Sequence, residues 1–248
     1  MNSSDGELVL IPALATDARV LAPHVAAFPQ AYAPAWIEPE KNESLSDYAG
    51  RLIERFPNRR PRIVGGVSFG GMLAWEVAAR VRPEALVLVA SCRWPQSICR
   101  FFQLAHPLVR LIPPQLIEAT KPLAPLAVKA FVGPWRKSVV TVRQRPAGGS
   151  HVDGLAPGHS ILPLLVAMYR DTPAALLRWS IQAIFRWQPS ALEGVRVYHI
   201  HGGRDRVIPA CRVTPDRIVP DAGHFLNLTH SDEVNAYLAE VIRGANGL

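Results

Sequence analysis

Long apolar runs are scarce in this 248-residue chain, and it carries no paired cysteine pattern, metal-ligand spacing or internal repeat. The first apolar run, Leu8 to Ile11, is far too short for a membrane span or a secretion-signal core. The MNSSDGE before it holds no basic residue. Cys92, Cys99 and Cys211 form neither a zinc-like spacing nor an even set for a disulfide framework. Reduced thiols, a cytoplasmic location and no bound metal are therefore expected. At 49% hydrophobic and 19% charged residues the chain is too apolar to be disordered. It has enough core for one sizeable α/β domain, or a core domain with an insertion.

Acidic residues are the other scarcity, with 20 Asp and Glu against 27 Lys and Arg. The imbalance is local. From Ser91 to Ser190 there are twelve Lys and Arg against three Asp and Glu, while the remainder carries fifteen against seventeen. That segment also holds twelve of the 23 prolines and four of the six tryptophans. The shift marks residues 91–190 as a separate unit between 1–90 and 191–248. No nucleic-acid-reading motif accompanies the charge, so a nucleic-acid partner is not expected; the basic segment reads by default as a solvated face, with an anionic substrate or peripheral contact with acidic surfaces as the alternatives.

What is present centres on Arg62 to Arg82. Ile63, Val64 and Val67 make a short buried-strand pattern, and Met72, Leu73, Val77, Ala78 and Val81 recur at helical spacing. The period changes at Ser68, within the G-x-S-x-G formed by Gly66, Ser68 and Gly70. Small residues on both sides let strand and helix close on a serine held at the bend. The same helix start aims its amides at whatever Ser68 attacks, which makes the Phe69 N–H an oxyanion donor.

Before this stretch, Leu8–Ile11 and residues 30–37 read as strands and residues 44–56 as a helix; after it, Glu84 to Ala90 is another buried strand. The rhythm is that of a doubly wound, mostly parallel sheet. From Ser91 it gives way to proline-broken helical patterns over 98–111, 115–119, 126–132, 161–169 and 174–185, with a Gly-, Pro- and His-rich loop over 143–159. Strands resume at Val195 to Ile200 and Arg217 to Val219, and a closing helix starts at Ser231 or Asp232.

A serine hydroxyl needs an imidazole base and a carboxylate to orient it. In a parallel sheet the C-terminal strand ends share one edge, and just beyond two of them lie Asp205 and His224. Asp221 reads as a turn former, and His201 as a structural histidine bonded to backbone.

These stretches, VLIPALATDARV, GGVSFGGMLAWEVA, LVLVAS, HIHGGRDRVIP and DAGHFLNLTHSDEVNAYL, resemble the α/β-hydrolase fold superfamily, with a helical cap inserted after the strand that follows the nucleophile helix. The resemblance implies a sheet shortened at its N-terminal edge and a vestigial helix between the last two strands. It implies Ser68 as nucleophile, Asp205 as acid, His224 as base, and the Leu14 and Phe69 amides as oxyanion hole. The expected activity is hydrolysis of a small-molecule carboxylic ester, or of a thioester or amide, through an acyl-enzyme, with no cofactor. The alternatives are a lyase or C–C bond hydrolase on the same triad, or a catalytically weak protein that binds a ligand. Ala13 and Ala15 stand where the family usually carries glycine, and their Cβ atoms are expected to restrict the loop that holds Leu14. Some of the apolar side chains of the inserted segment are expected to line a crevice above Ser68, with Cys92, Trp179 and Trp187 among its walls, suited to an apolar acyl group; the equal alternative is that they only dock the segment onto the core.

Overall fold

The structure, a computed structural model, describes residues 7–109, 112–126, 128 and 160–245. Six strands form one sheet: β1 (Leu8–Ile11), β2 (Ala31–Tyr32), β3 (Ile63–Val67), β4 (Ala85–Val89), β5 (Arg196–Gly202) and β6 (Arg217–Val219). Their order across the sheet is β2-β1-β3-β4-β5-β6, and every neighbouring pair is parallel. The expected second strand is reduced to two residues, because Pro34 cannot donate to a ladder and the chain leaves the sheet just before it.

Both faces of the sheet are buried. Leu8 and Leu10 of β1 join one apolar cluster, Val9 and Ile11 the other, as alternate residues of a strand must. On the first face lie α1 (Ala22–Ala27) and the closing helix α9 (Ser231–Ala245), whose Val234, Tyr237, Leu238 and Val241 fill the layer. On the second lie α2 (Leu45–Ile53) and α3 (Phe69–Val81). Helix α2 starts where Ser44 accepts from the Asp47 amide, and a short 3-10 turn ahead of α1 is capped by Asp17 in the same manner. The chain is thus a doubly wound α/β fold of three layers.

Between β4 and β5 the described residues form α4 (Arg100–Val109), α5 (Pro114–Thr120), α6 (Leu162–Asp171) and α7 (Ala174–Arg186). Most of the helix expected over 126–132, Trp135 and the loop expected over 143–159 lie outside the described residues. The link from β5 to β6 holds one 3-10 turn, Ala210–Arg212, and a short α8 (Leu226–Thr229) precedes α9.

A buried carboxylate ties the return from α7 to the sheet layers. Glu76, on α3, is fully buried and accepts from the Trp187 indole N–H at 2.7 Å, the Ser190 amide at 3.0 Å and the Ser190 hydroxyl at 2.6 Å. Three donors replace the water this carboxylate gives up.

Candidate active site

Ser68 sits between β3 and α3 with φ 54° and ψ −119°, left-handed backbone that a non-glycine residue holds only when its surroundings fix it. Here the Ser68 amide donates to the Val89 carbonyl at 2.9 Å, and the Ser91 hydroxyl donates to the Ser68 carbonyl at 2.7 Å. The turn also depends on two glycines. A Cβ at Gly66 would overlap the Gly70 carbonyl, and one at Gly70 would overlap the carbonyl oxygens of Pro12 and Ile11.

The loop after β6 brings His224 to this turn, and the loop after β5 brings Asp205. His224 Nε2 lies 2.8 Å from Ser68 Oγ, and Nδ1 lies 2.7 Å from Asp205 Oδ2. A carboxylate only accepts, so Nδ1 carries the proton and Nε2 is left to accept from the serine hydroxyl. Asp205 Oδ1 accepts from the Val207 and Ile208 amides at 2.8 and 2.9 Å. Burial by itself would raise the Asp205 pKa; the adjacent His224, through its charge and its hydrogen bond, outweighs burial and holds the carboxyl below its ordinary range.

His201 backs this carboxylate. Its Nε2 lies 2.8 Å from the Ile208 carbonyl and 3.4 Å from Asp205 Oδ2. The carbonyl requires a proton on Nε2, so Nδ1 accepts from His199 Nε2, 3.1 Å away. Burial depresses both rings' pKa values, that of His199 to about 3, so the pair is neutral. Asp221 instead pairs with Arg204 on the surface, with 73% of its side chain exposed.

Leu14 and Phe69 line the cavity beside Ser68. Phe69 is the first residue of α3, where an amide has no partner within its helix. Leu14 lies in a turn closed by the Thr16 amide and hydroxyl, which both donate to the Ala13 carbonyl at 3.2 and 2.8 Å. Ala15 takes φ 60° in that turn. Alanine thus occupies a left-handed position that glycine would fill without strain, and the turn closes despite its Cβ.

Above Ser68 opens a cavity of about 560 Å³ with walls that are almost wholly apolar. Phe101, Phe102, Ile112, Leu165, Ile184 and Phe185 contribute to it from the segment after β4. Cys92, Trp179 and Trp187, expected among its walls, are not there. On α7 the side chains that reach the cavity are Leu177, Ile181, Ile184 and Phe185, a helical i, i+4, i+7, i+8 stripe. Trp179 is two residues from Leu177 and so points the other way. Its ring stacks on Tyr48 at 4.3 Å and meets Phe69 edge-on, and its N–H donates to the Glu43 carbonyl at 3.0 Å. Trp187 is held by Glu76. Cys92 is fully buried in the second-face core, and burial, with the Asp205 charge adding to it, pushes its thiol up to about 12.

The sequence pattern of the alpha/beta hydrolase family matches residues 6–237. No curated protein sequence matches the chain. Among solved structures, a thermophilic esterase from Thermogutta terrifontis is similar at 15% identity, with 96% of this chain and 89% of that one covered and a TM-score of 0.61. A structure from work on carboxylesterases of the ammonia-oxidizing thaumarchaeon Nitrososphaera gargenis is similar at 11% identity, with 97% and 90% covered and a TM-score of 0.65. The thioesterase of the prodiginine biosynthetic pathway in Streptomyces coelicolor is similar at 15% identity, with 93% and 88% covered and a TM-score of 0.54. Those identities carry the fold alone, whereas the sequence pattern spans nearly the whole length: this chain belongs to the alpha/beta hydrolase family.

Proposed function

We propose that the protein is a serine hydrolase that cleaves a carboxylic ester of an apolar acid by way of an acyl-enzyme on Ser68. One observation carries the reading: the Ser68, His224 and Asp205 side chains are joined by hydrogen bonds of 2.8 and 2.7 Å directly beneath an apolar cavity. As Ser68 Oγ attacks the ester carbonyl carbon, His224 Nε2 takes its proton, and the Asp205 carboxylate stabilises the imidazolium. The carbonyl oxygen gains negative charge between the Leu14 and Phe69 amides, each such donor being worth about a hundredfold to a thousandfold in kcat. The imidazolium then protonates the departing alcohol. In the second half-reaction His224 takes a proton from water, whose oxygen attacks the acyl carbon and frees Ser68 and the acid.

The apolar walls select the acyl group, because each methylene moved out of water contributes about 0.8 kcal/mol, roughly fourfold in kcat/KM. A p-nitrophenyl ester series should therefore rise with chain length until the cavity is full and then fall. Trp179→Ala should lower thermal stability and leave that maximum in place, since the indole packs away from the cavity. A flat profile from acetate to dodecanoate would sink the proposed acyl site. An odd count of three cysteines without paired or zinc-like spacing suits a reducing, cytoplasmic compartment. Among the described residues no helix is long and apolar enough to cross a membrane.

A further inference from the structure

The opposite edge of the sheet carries a second concavity. Strands run away from it towards Ser68, and the thirteen residues of α3 separate the two places by about 20 Å. Its walls are two chain passages lying side by side: Arg59 to Arg62 entering β3, and Arg80 to Glu84 joining α3 to β4. The passages are tied by the Glu84 amide, which donates to the Arg62 carbonyl at 2.9 Å. Together they enclose a shallow basin of about 530 Å³ lined by Arg59, Arg60, Arg62, Arg80 and Arg82, with Glu84 as its one acidic wall residue.

Neighbouring carboxylates answer only some of this charge. Arg62 pairs with Glu84 at 2.7 Å, Arg59 with Glu54 at 2.6 Å, and Arg80 lies 4.0 Å from Asp47 while donating to the Ser46 carbonyl at 3.1 Å. Arg60 and Arg82 have no carboxylate within ion-pair distance among the described residues. Cations at the end of α3 are expected on dipole grounds, but that dipole is worth about half a charge. Glu7 acts on Arg62 and Arg196 on Glu84, and these two offset one another; five guanidiniums against three carboxylates and that half charge then leave about one and a half positive charges.

The basin is also held in shape. Pro61 and Pro83 fix φ in both walls, and the Arg60 amide donates to Asn58 Oδ1 at 2.9 Å. Arg82 occupies the left-handed C-cap of α3 at φ 51°, a position where glycine is the usual residue. An arginine there keeps a strained backbone and adds a guanidinium to the basin.

We infer that this arginine basin, formed by Arg59, Arg60, Arg62, Arg80 and Arg82 at the sheet edge opposite Ser68, binds an oligophosphate group. Planar guanidinium forks match phosphate oxygens two at a time, and several from different directions suit linked phosphates better than a single one. The group arrives on a soluble nucleotide or on a phosphorylated lipid headgroup, and the chemistry of the basin is the same for both.

Calorimetric titration of the whole protein with inorganic tripolyphosphate, in about 150 mM salt so that diffuse attraction is screened, tests it. Tripolyphosphate should bind in the tens of micromolar, orthophosphate about tenfold more weakly or worse. The double variant Arg60→Ala, Arg82→Gly should lose about a hundredfold, near tenfold for each charge-assisted pair. Its melting temperature should stay close to wild type, because Gly suits the left-handed cap. Arg170→Ala, which removes an exposed arginine on α6, should leave affinity unchanged. Parallel titrations with ATP and with vesicles containing phosphatidylinositol 4,5-bisphosphate distinguish the soluble source from the lipid one. Absence of tripolyphosphate binding at about 1 mM, or an equal loss from Arg170→Ala and the double variant, would overturn the assignment.

Discussion

Replacing Gly70 by alanine is a one-methyl test of how the site is assembled. The added Cβ would meet the carbonyl oxygens of Pro12 and Ile11 and lie 2.8 Å from the Ile11 carbonyl carbon, where carbon atoms ordinarily rest about 3.5–4.0 Å apart. Neither neighbour is a side chain that can swing aside. The start of α3 and the end of β1 must therefore separate by about 1 Å, and each carries half of the proposed machinery. Helix α3 positions Ser68 and the Phe69 amide; β1 leads into the turn that presents Leu14. A displacement of about 1 Å between reacting groups costs on the order of a hundredfold in rate. Overpacking costs about 1–3 kcal/mol, from which the better helix propensity of alanine returns about 1 kcal/mol. Gly223→Ala is the control. It precedes His224, yet a Cβ there meets nothing within 4 Å, so activity should stay within about threefold and stability should rise by at most about 1 kcal/mol. Esterase kcat/KM and urea unfolding read both effects. Wild-type activity and stability in Gly70→Ala would refute the claim that this contact sets the geometry.

Asp205→Asn should lower kcat about ten-thousandfold, by analogy with other Ser-His-Asp sites, whereas Asp221→Asn should change stability by no more than about 0.5 kcal/mol and turnover hardly at all; steady-state kinetics with the reverse ranking would reassign the acid. Stability should fall on mild acidification. His24, His199 and His201 are buried with depressed pKa values, chiefly through desolvation, so below about pH 6.5 the unfolded chain takes up protons that the folded chain refuses. His199, whose folded pKa is about 3, costs about 1.4 kcal/mol between pH 7.5 and 5.5, and His24 and His201 add to the loss in the same direction. The Asp205 pKa is lowered too, but for a carboxylate that adds stability, and the contribution persists until the pH drops below about 4, outside this window. Urea titrations at pH 7.5 and 5.5 with equal midpoints would contradict neutral buried rings.

The sheet and the serine turn were legible because their signals are local: apolar runs bounded by turns, and a change from strand to helix period at Ser68. Asp205 and His224 were legible through topology, since parallel strands put their following loops on one edge. Partners chosen by packing were not. Nothing in the sequence singles out Glu76, which is buried only because the chain returning from α7 covers that face with Trp187 and Ser190. Trp179 and Trp187 look like cavity walls on apolarity alone, but the direction in which α7 faces sends one towards Tyr48 and the other towards Glu76. The arginine basin was hidden by averaging. Outside residues 91–190 the charges nearly cancel over the sequence, while the turns at Arg59 to Arg62 and Arg80 to Arg82 gather five arginines in one place.

The central claim is that Ser68 is an activated nucleophile, and covalent capture tests it most directly. Incubation with a fluorophosphonate, followed by peptide mass spectrometry, should place one adduct on the peptide that contains Ser68. Ser68→Ala should fold as the wild type does and take up none, and its ester turnover should fall by about a millionfold. A folded wild-type protein that remains unlabelled, or an adduct on a different residue, would contradict the account.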